Sequence, residues 1–110
     1  MTKQPPREAA IVKQICDYLK TLDKVHFEKR HGTPFGRVGE PDISGCILFN
    51  GFERTNISFE YGQRFEIEVK RPGHKPTKRQ ELALAKWKAA GAAVAIIHSV
   101  DECREFIEGL

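Results

Sequence analysis

The alternation in Phe65-Glu66-Ile67-Glu68-Val69-Lys70 constrains this chain more than any other stretch. Side chains two apart on a strand share a face, so Phe65, Ile67 and Val69 form an apolar row and Glu66, Glu68 and Lys70 a polar one. Pro72, Gly73 and Pro76 stop the run, and Thr77 stands where an N-cap belongs. Residues 78–90 are good helix formers, closed by Gly91. Residues 94–98 are almost continuously apolar, as in a central or parallel strand. Strand, helix and strand in that order predict a right-handed crossover between parallel strands. The 65–70 strand is then expected to be central, with both faces covered.

The rest of the chain supplies what would cover it. Pro5 or Pro6 can open a helix whose apolar stripe is Ile11, Val12, Ile15, Leu19 and Leu22. Glu8 falls on the same face. It is either an inward carboxylate needing a cation or hydrogen bonds, or a wet first-turn acid suited to the helix dipole. Residues 25–29 read as a short strand with Val25 and Phe27 on one side. Residues 31–41 hold three glycines and two prolines, with Arg30 just before them and Arg37 among them, so they form a loop, either functional or merely solvated. Residues 43–49 are a strand candidate ending in the hairpin-turn dipeptide Asn50-Gly51. Residues 52–61 are either an extra strand or an extended loop, and Tyr61-Gly62 is expected to turn into the 65–70 strand. Gln80, Leu84 and Trp87 share the buried stripe of the second helix. Ser99 with Glu102 forms a capping box for a last helix over 100–109. The order is α-β-β-β-α-β-α, without internal repeats or low-complexity segments.

At 110 residues the chain is expected to form one domain, 1–110. Hydrophobic content of 40% and charged content of 30% are ordinary for a soluble globular protein. A net charge of +3 does not imply a nucleic-acid partner, but its distribution is informative. From Arg64 to Arg79 six basic residues face two acidic ones, either a solvated charged face or a surface for phosphates. Cys16, Cys46 and Cys103 are odd in number, lack C-x-x-C spacing and lie in apolar patterns. Buried thiols in a reducing compartment are the expectation. With no signal peptide or membrane span in the sequence, the protein is expected in the cytoplasm, without a membrane partner.

Glu-x-Lys is a short pattern that arises by chance, and Pro-Asp is a common turn pair. Glu66, Glu68 and Lys70 therefore have a bland reading, the solvent face of a half-buried sheet. Three features oppose it. The strand leads into a crossover; Asp42, just before the 43–49 strand, would reach Glu68 through a hairpin; and Glu8 and Gln80 lie on inward helical stripes. Four polar groups entering one covered region need a common partner, and a metal ion with the Lys70 ammonium beside it supplies one.

Glu8, then Gly39-Glu40-Pro41-Asp42-Ile43, then Ile67-Glu68-Val69-Lys70, then residues 77–80 resemble the PD-(D/E)xK nuclease superfamily. Within it the pattern is similar to the virus-type replication-repair nuclease family, VRR-NUC. The motifs are individually weak, but their order and context span roughly residues 8–100. The resemblance implies an α/β, restriction-endonuclease-like core, a mixed β-sheet flanked by helices. It implies Mg²⁺- or Mn²⁺-dependent phosphodiester hydrolysis by an endonuclease. It also implies a homodimer acting on branched DNA such as Holliday junctions, in phage or prophage replication, recombination or repair. Asp42 and Glu68 are then the carboxylate ligands, with the Val69 main-chain carbonyl completing the set and Glu8 serving a second ion or a bound water. Lys70 would orient the attacking water or stabilise charge on the phosphate, and Gln80 would position these groups. Arg37, Arg71, Lys75, Lys78 and Arg79 are the expected phosphate contacts. Residues 52–61 have no place in the family pattern. Two rivals stand: a non-catalytic nucleic-acid-binding module, and a zinc protein using His26, His31, His74, His98 and the cysteines, which lack finger or ribbon spacing.

Overall fold

The computed structural model describes residues 6–30, 39–52 and 58–110. Along the chain lie α1 (Glu8–Lys20), β1 (Val25–Lys29), β2 (Ile43–Phe52), β3 (Ser58–Val69), α2 (Lys78–Ala89), β4 (Ala93–Ile97) and α3 (Val100–Glu108). This is the expected order. The strands form one mixed sheet, β1-β2-β3-β4, antiparallel from β1 to β3 and parallel between β3 and β4.

The apolar row of β3 sets the core. Phe65, Ile67 and Val69 are fully buried, and Ile43 of β2 and Ile97 of β4 flank them on the same face. Against this face pack Ile11, Val12, Ile15 and Leu19 of α1 with Cys103 and Ile107 of α3. The 3.6-residue spacing of the α1 stripe produces this: it gathers those four side chains on one side of the helix. α2 lies against β3 and β4 on the opposite side. Its start is fixed by a full capping box, in which Thr77 Oγ1 accepts from Gln80 N at 3.2 Å and Gln80 Oε1 accepts from Thr77 N at 2.8 Å.

Several expectations need correction. Asn50-Gly51 is not the hairpin turn; both residues continue β2, paired with Glu60 and Phe59. A side chain at Gly51 would collide with the Phe59 ring, so this glycine makes room for a cross-strand aromatic. Tyr61-Gly62 does not turn either, because both lie inside β3, which begins at Ser58. β4 is parallel as expected but stands at the sheet edge, with Ile96 39% exposed. Trp87 is half-buried, and Leu84 is the buried residue of α2. The α3 cap is formed from one side: Ser99 Oγ accepts from Glu102 N at 3.2 Å, while Glu102 Oε2 accepts from His98 N at 2.7 Å. Cys16 and Cys103 are buried free thiols, but Cys46 is exposed, because it sits on the strand face that carries Arg64 and His26 beside it. No helix among the described residues is long and apolar enough to cross a membrane.

Candidate active site

The residues of Gly39-Glu40-Pro41-Asp42 are tied to α2, to Arg30 just after β1, and to the end of β3. Gly39 has φ +91°, and a Cβ there would come within 3.0 Å of Arg79 Cβ in the first turn of α2. Only glycine takes that backbone conformation freely. Glu40 Oε2 accepts the indole N–H of Trp87 at 3.2 Å. Pro41 is buried, and its carbonyl accepts from Arg30 Nη1 at 3.1 Å. Arg30 N donates to the Asp42 carbonyl at 2.8 Å. The antiparallel register pairs Ile43 with Ile67, which brings Asp42 level with Glu68. Asp42 Oδ2 then accepts the backbone N–H of Val69 at 2.7 Å.

Glu66, Glu68 and Lys70 are 0%, 1% and 9% exposed, so the solvent-face reading does not hold. Lys70 Nζ stands 3.7 Å from Glu68 Oε1 and 4.0 Å from Oε1 of the half-buried Glu8. Glu8, Glu68 and Lys70 thus meet, with Asp42 joining from the turn before β2. Burial, followed by the charge of Asp42, pushes the Glu68 carboxyl up to about 8; Lys70 pulls it down, while a proton shared with Asp42 and the charge of Glu8 add to the rise. Glu68 Oε2 is buried with no hydrogen-bond partner. Two facing carboxylates, one with an unpartnered oxygen, suit a hard cation that would let both ionise. Among the described residues no three His, Cys, Asp or Glu side chains gather into one metal-holding group. Magnesium keeps several waters and is commonly held by one or two carboxylates, so Asp42 and Glu68 fit it.

A second charged cluster adjoins the first and has no counterpart among the expected residues. Glu66 Oε1 meets Arg30 Nη1 at 2.5 Å, and Glu66 Oε2 accepts from Arg64 Nε at 3.0 Å. Arg64 Nη2 also donates to Ser44 Oγ at 2.6 Å. Both guanidinium groups lie over Trp87, at 5.4 Å for Arg30 and 4.6 Å for Arg64, within cation–π range. No local spacing announces this arrangement, since its members come from four parts of the chain.

The remaining expected residues are placed as follows. Gln80 is half-buried, and its carboxamide oxygen is engaged by Thr77 in the α2 cap; the Thr77-x-x-Gln80 spacing was the available signal. Lys75, Lys78 and Arg79 are exposed or nearly so along the approach to α2 and its first turn. Arg71 is half-buried, with Nε buried and lacking a hydrogen-bond partner. Lys75 lines a groove with His74, Glu81, Ile96 and His98, beyond the carboxyl end of β4. Arg37 and His31 lie outside the described residues.

No protein-family model matches the chain, and no curated protein matches it. Solved structures do. One named "VRR_NUC domain" has a TM-score of 0.66 at 22% identity, covering 92% of this chain and 94% of that one. Another, named "VRR_NUC domain protein", has a TM-score of 0.64 at 17% identity, covering 96% of this chain and 88% of that one. The similarity spans nearly the whole of each molecule, and the mixed four-stranded sheet flanked by helices is common to them. This chain has the fold of the VRR_NUC domain.

Proposed function

We propose that this protein is a metal-dependent nuclease of the VRR-NUC type that hydrolyses phosphodiester bonds in DNA. The observation that carries the reading is Glu68: a buried carboxylate with an unpartnered oxygen, facing Asp42 and flanked by Lys70. A purely structural site would gain from neutralising or removing such a group. The fold likeness supports the same reading.

Asp42 and Glu68 would hold Mg²⁺ or Mn²⁺, with the Val69 carbonyl as a further oxygen and Glu8 serving a second ion or a water. Such an ion supplies charge neutralisation at the scissile phosphate and a more acidic water. The Val69 amide keeps Asp42 aimed at the site before substrate arrives. Lys70, held between Glu68 and Glu8, would orient the water or meet developing negative charge on the phosphate. Arg71, Lys75, Lys78 and Arg79, with Arg37, would bind the backbone without reading sequence. Gln80 would act through the α2 cap, holding the helix turn against which Gly39 packs.

The preferred substrate in this reading is branched DNA such as a Holliday junction, cut by a homodimer whose two sites are related by a twofold. The setting is phage or prophage replication, recombination or repair in the reducing cytoplasm. The test is a cleavage assay with the full chain on four-way junction, flap, nicked and linear DNA, with Mg²⁺, Mn²⁺ or chelator. Product with either metal and none with chelator is expected. DNA binding without product in any metal would overturn the enzyme and leave the non-catalytic binding module.

A further inference from the structure

We infer that Arg30 and Glu66 are positioning residues for Asp42, forming a clamp with one buried and one half-buried end that sets where this carboxylate stands relative to Glu68. The inference rests on the reading of Asp42 as a metal ligand.

Arg30 touches the Asp42 turn from two directions. Its backbone N–H holds the Asp42 carbonyl at 2.8 Å, and its guanidinium holds the Pro41 carbonyl at 3.1 Å. The same Nη1 meets Glu66 Oε1 at 2.5 Å and lies 3.9 Å from Glu40 Oε2. Glu66 is thus the fixed end of the clamp. It is 0% exposed, anchored in β3, and its other oxygen is taken by Arg64. The Trp87 ring stacks on both guanidinium groups and reaches Glu40 through its N–H, tying the turn to α2. A buried carboxylate is tolerable when both oxygens are paired; here two cations pair it. The Glu66 charge is met by Arg30 and Arg64. Partners of this kind, outside the ligands themselves, typically alter metal affinity by roughly 10–100-fold.

The test uses Glu66→Gln, which keeps shape but presents an amide N–H₂ to guanidinium donors, and Arg30→Lys, which keeps the charge but replaces the planar guanidinium held over Trp87 with a compact, mobile ammonium. Two readouts are taken on the full chain: Mn²⁺ affinity by calorimetry, and the Val69 amide resonance without metal. The second reports the Val69–Asp42 bond directly and needs no activity. Both variants are expected to weaken Mn²⁺ by about tenfold or more and to move the Val69 resonance upfield, with resonances of the α1–α3 core unchanged. Should Glu66→Gln not fold, Arg30→Lys carries both readouts. Unchanged Mn²⁺ affinity and an unmoved Val69 amide in a folded variant would overturn the clamp while leaving the nuclease reading intact. A Val69 amide that moves in a protein binding no Mn²⁺ would uphold the clamp and remove the metal reading instead.

Discussion

Val69 donates its backbone N–H to Asp42 Oδ2 at 2.7 Å, joining the turn before β2 to the end of β3. One carboxylate oxygen is thereby fixed by the residue next to Glu68, which sits on the adjacent strand with an oxygen of its own unpartnered. The fold itself holds the two acids together, at the cost of burying Glu68 beside the half-buried Asp42.

That cost has a sign in pH. The folded Glu68 carboxyl is raised to about 8 from an ordinary value of 4.5, so its contribution is most favourable below 4.5 and is lost as pH rises through 8. Metal-free protein should therefore lose stability between pH 5 and pH 8, by roughly 3 kcal/mol at pH 7 from this group alone. Glu68→Gln should flatten the profile and melt higher than wild type at pH 8. Thermal melts in chelator at several pH values measure this, and parallel profiles for the two proteins would refute it.

Gly39→Ala should destabilise the fold by about 1–2 kcal/mol, since φ +91° is strained for alanine and the new Cβ meets Arg79. A fall in melting temperature of about 4–8 °C per kcal/mol is the expected measurement for a domain this size. Because the same turn carries Asp42, Mn²⁺ affinity should fall with it.

Lys70→Met should bind Mn²⁺ nearly as wild type does but turn over about 100- to 1,000-fold more slowly. Single-turnover cleavage alongside Mn²⁺ calorimetry separates the two effects. Lost metal binding with normal turnover would contradict the role given to Lys70.

Lys75, Lys78 and Arg79 lie at the protein surface, so alanine at each should leave melting unchanged while weakening DNA binding. Removing one phosphate-binding charge should lower the slope of log affinity against log salt by about one. A salt slope identical to wild type in the triple variant would take these residues out of the interface.

What the sequence disclosed follows from short periods. The two-residue alternation of 65–69 marked the central strand, and the α1 stripe at Ile11, Val12, Ile15 and Leu19 marked its cover. A hairpin bringing Asp42 to Glu68 was expected, but the register that does so, Ile43 opposite Ile67, arises because β2 and β3 run on past Asn50-Gly51 rather than turning there. Glu66 was not readable: on a strand it has the same pattern as a solvent-facing acid, and its partners Arg30 and Arg64 lie 36 and two residues away. Trp87 lay on a helical stripe that suggests core, yet its flat face serves two cations. Asn50-Gly51 has turn chemistry, but cross-strand packing of Phe59 on Gly51 governs there. In each miss, a tertiary contact outweighed a local preference.

The decisive experiment is calorimetric titration of Mn²⁺ into wild type, Asp42→Asn and Glu68→Gln at one pH, with circular dichroism on each. A saturable isotherm is expected for the wild type and none for either folded variant. Equal isotherms in all three would show that the ion does not sit between Asp42 and Glu68.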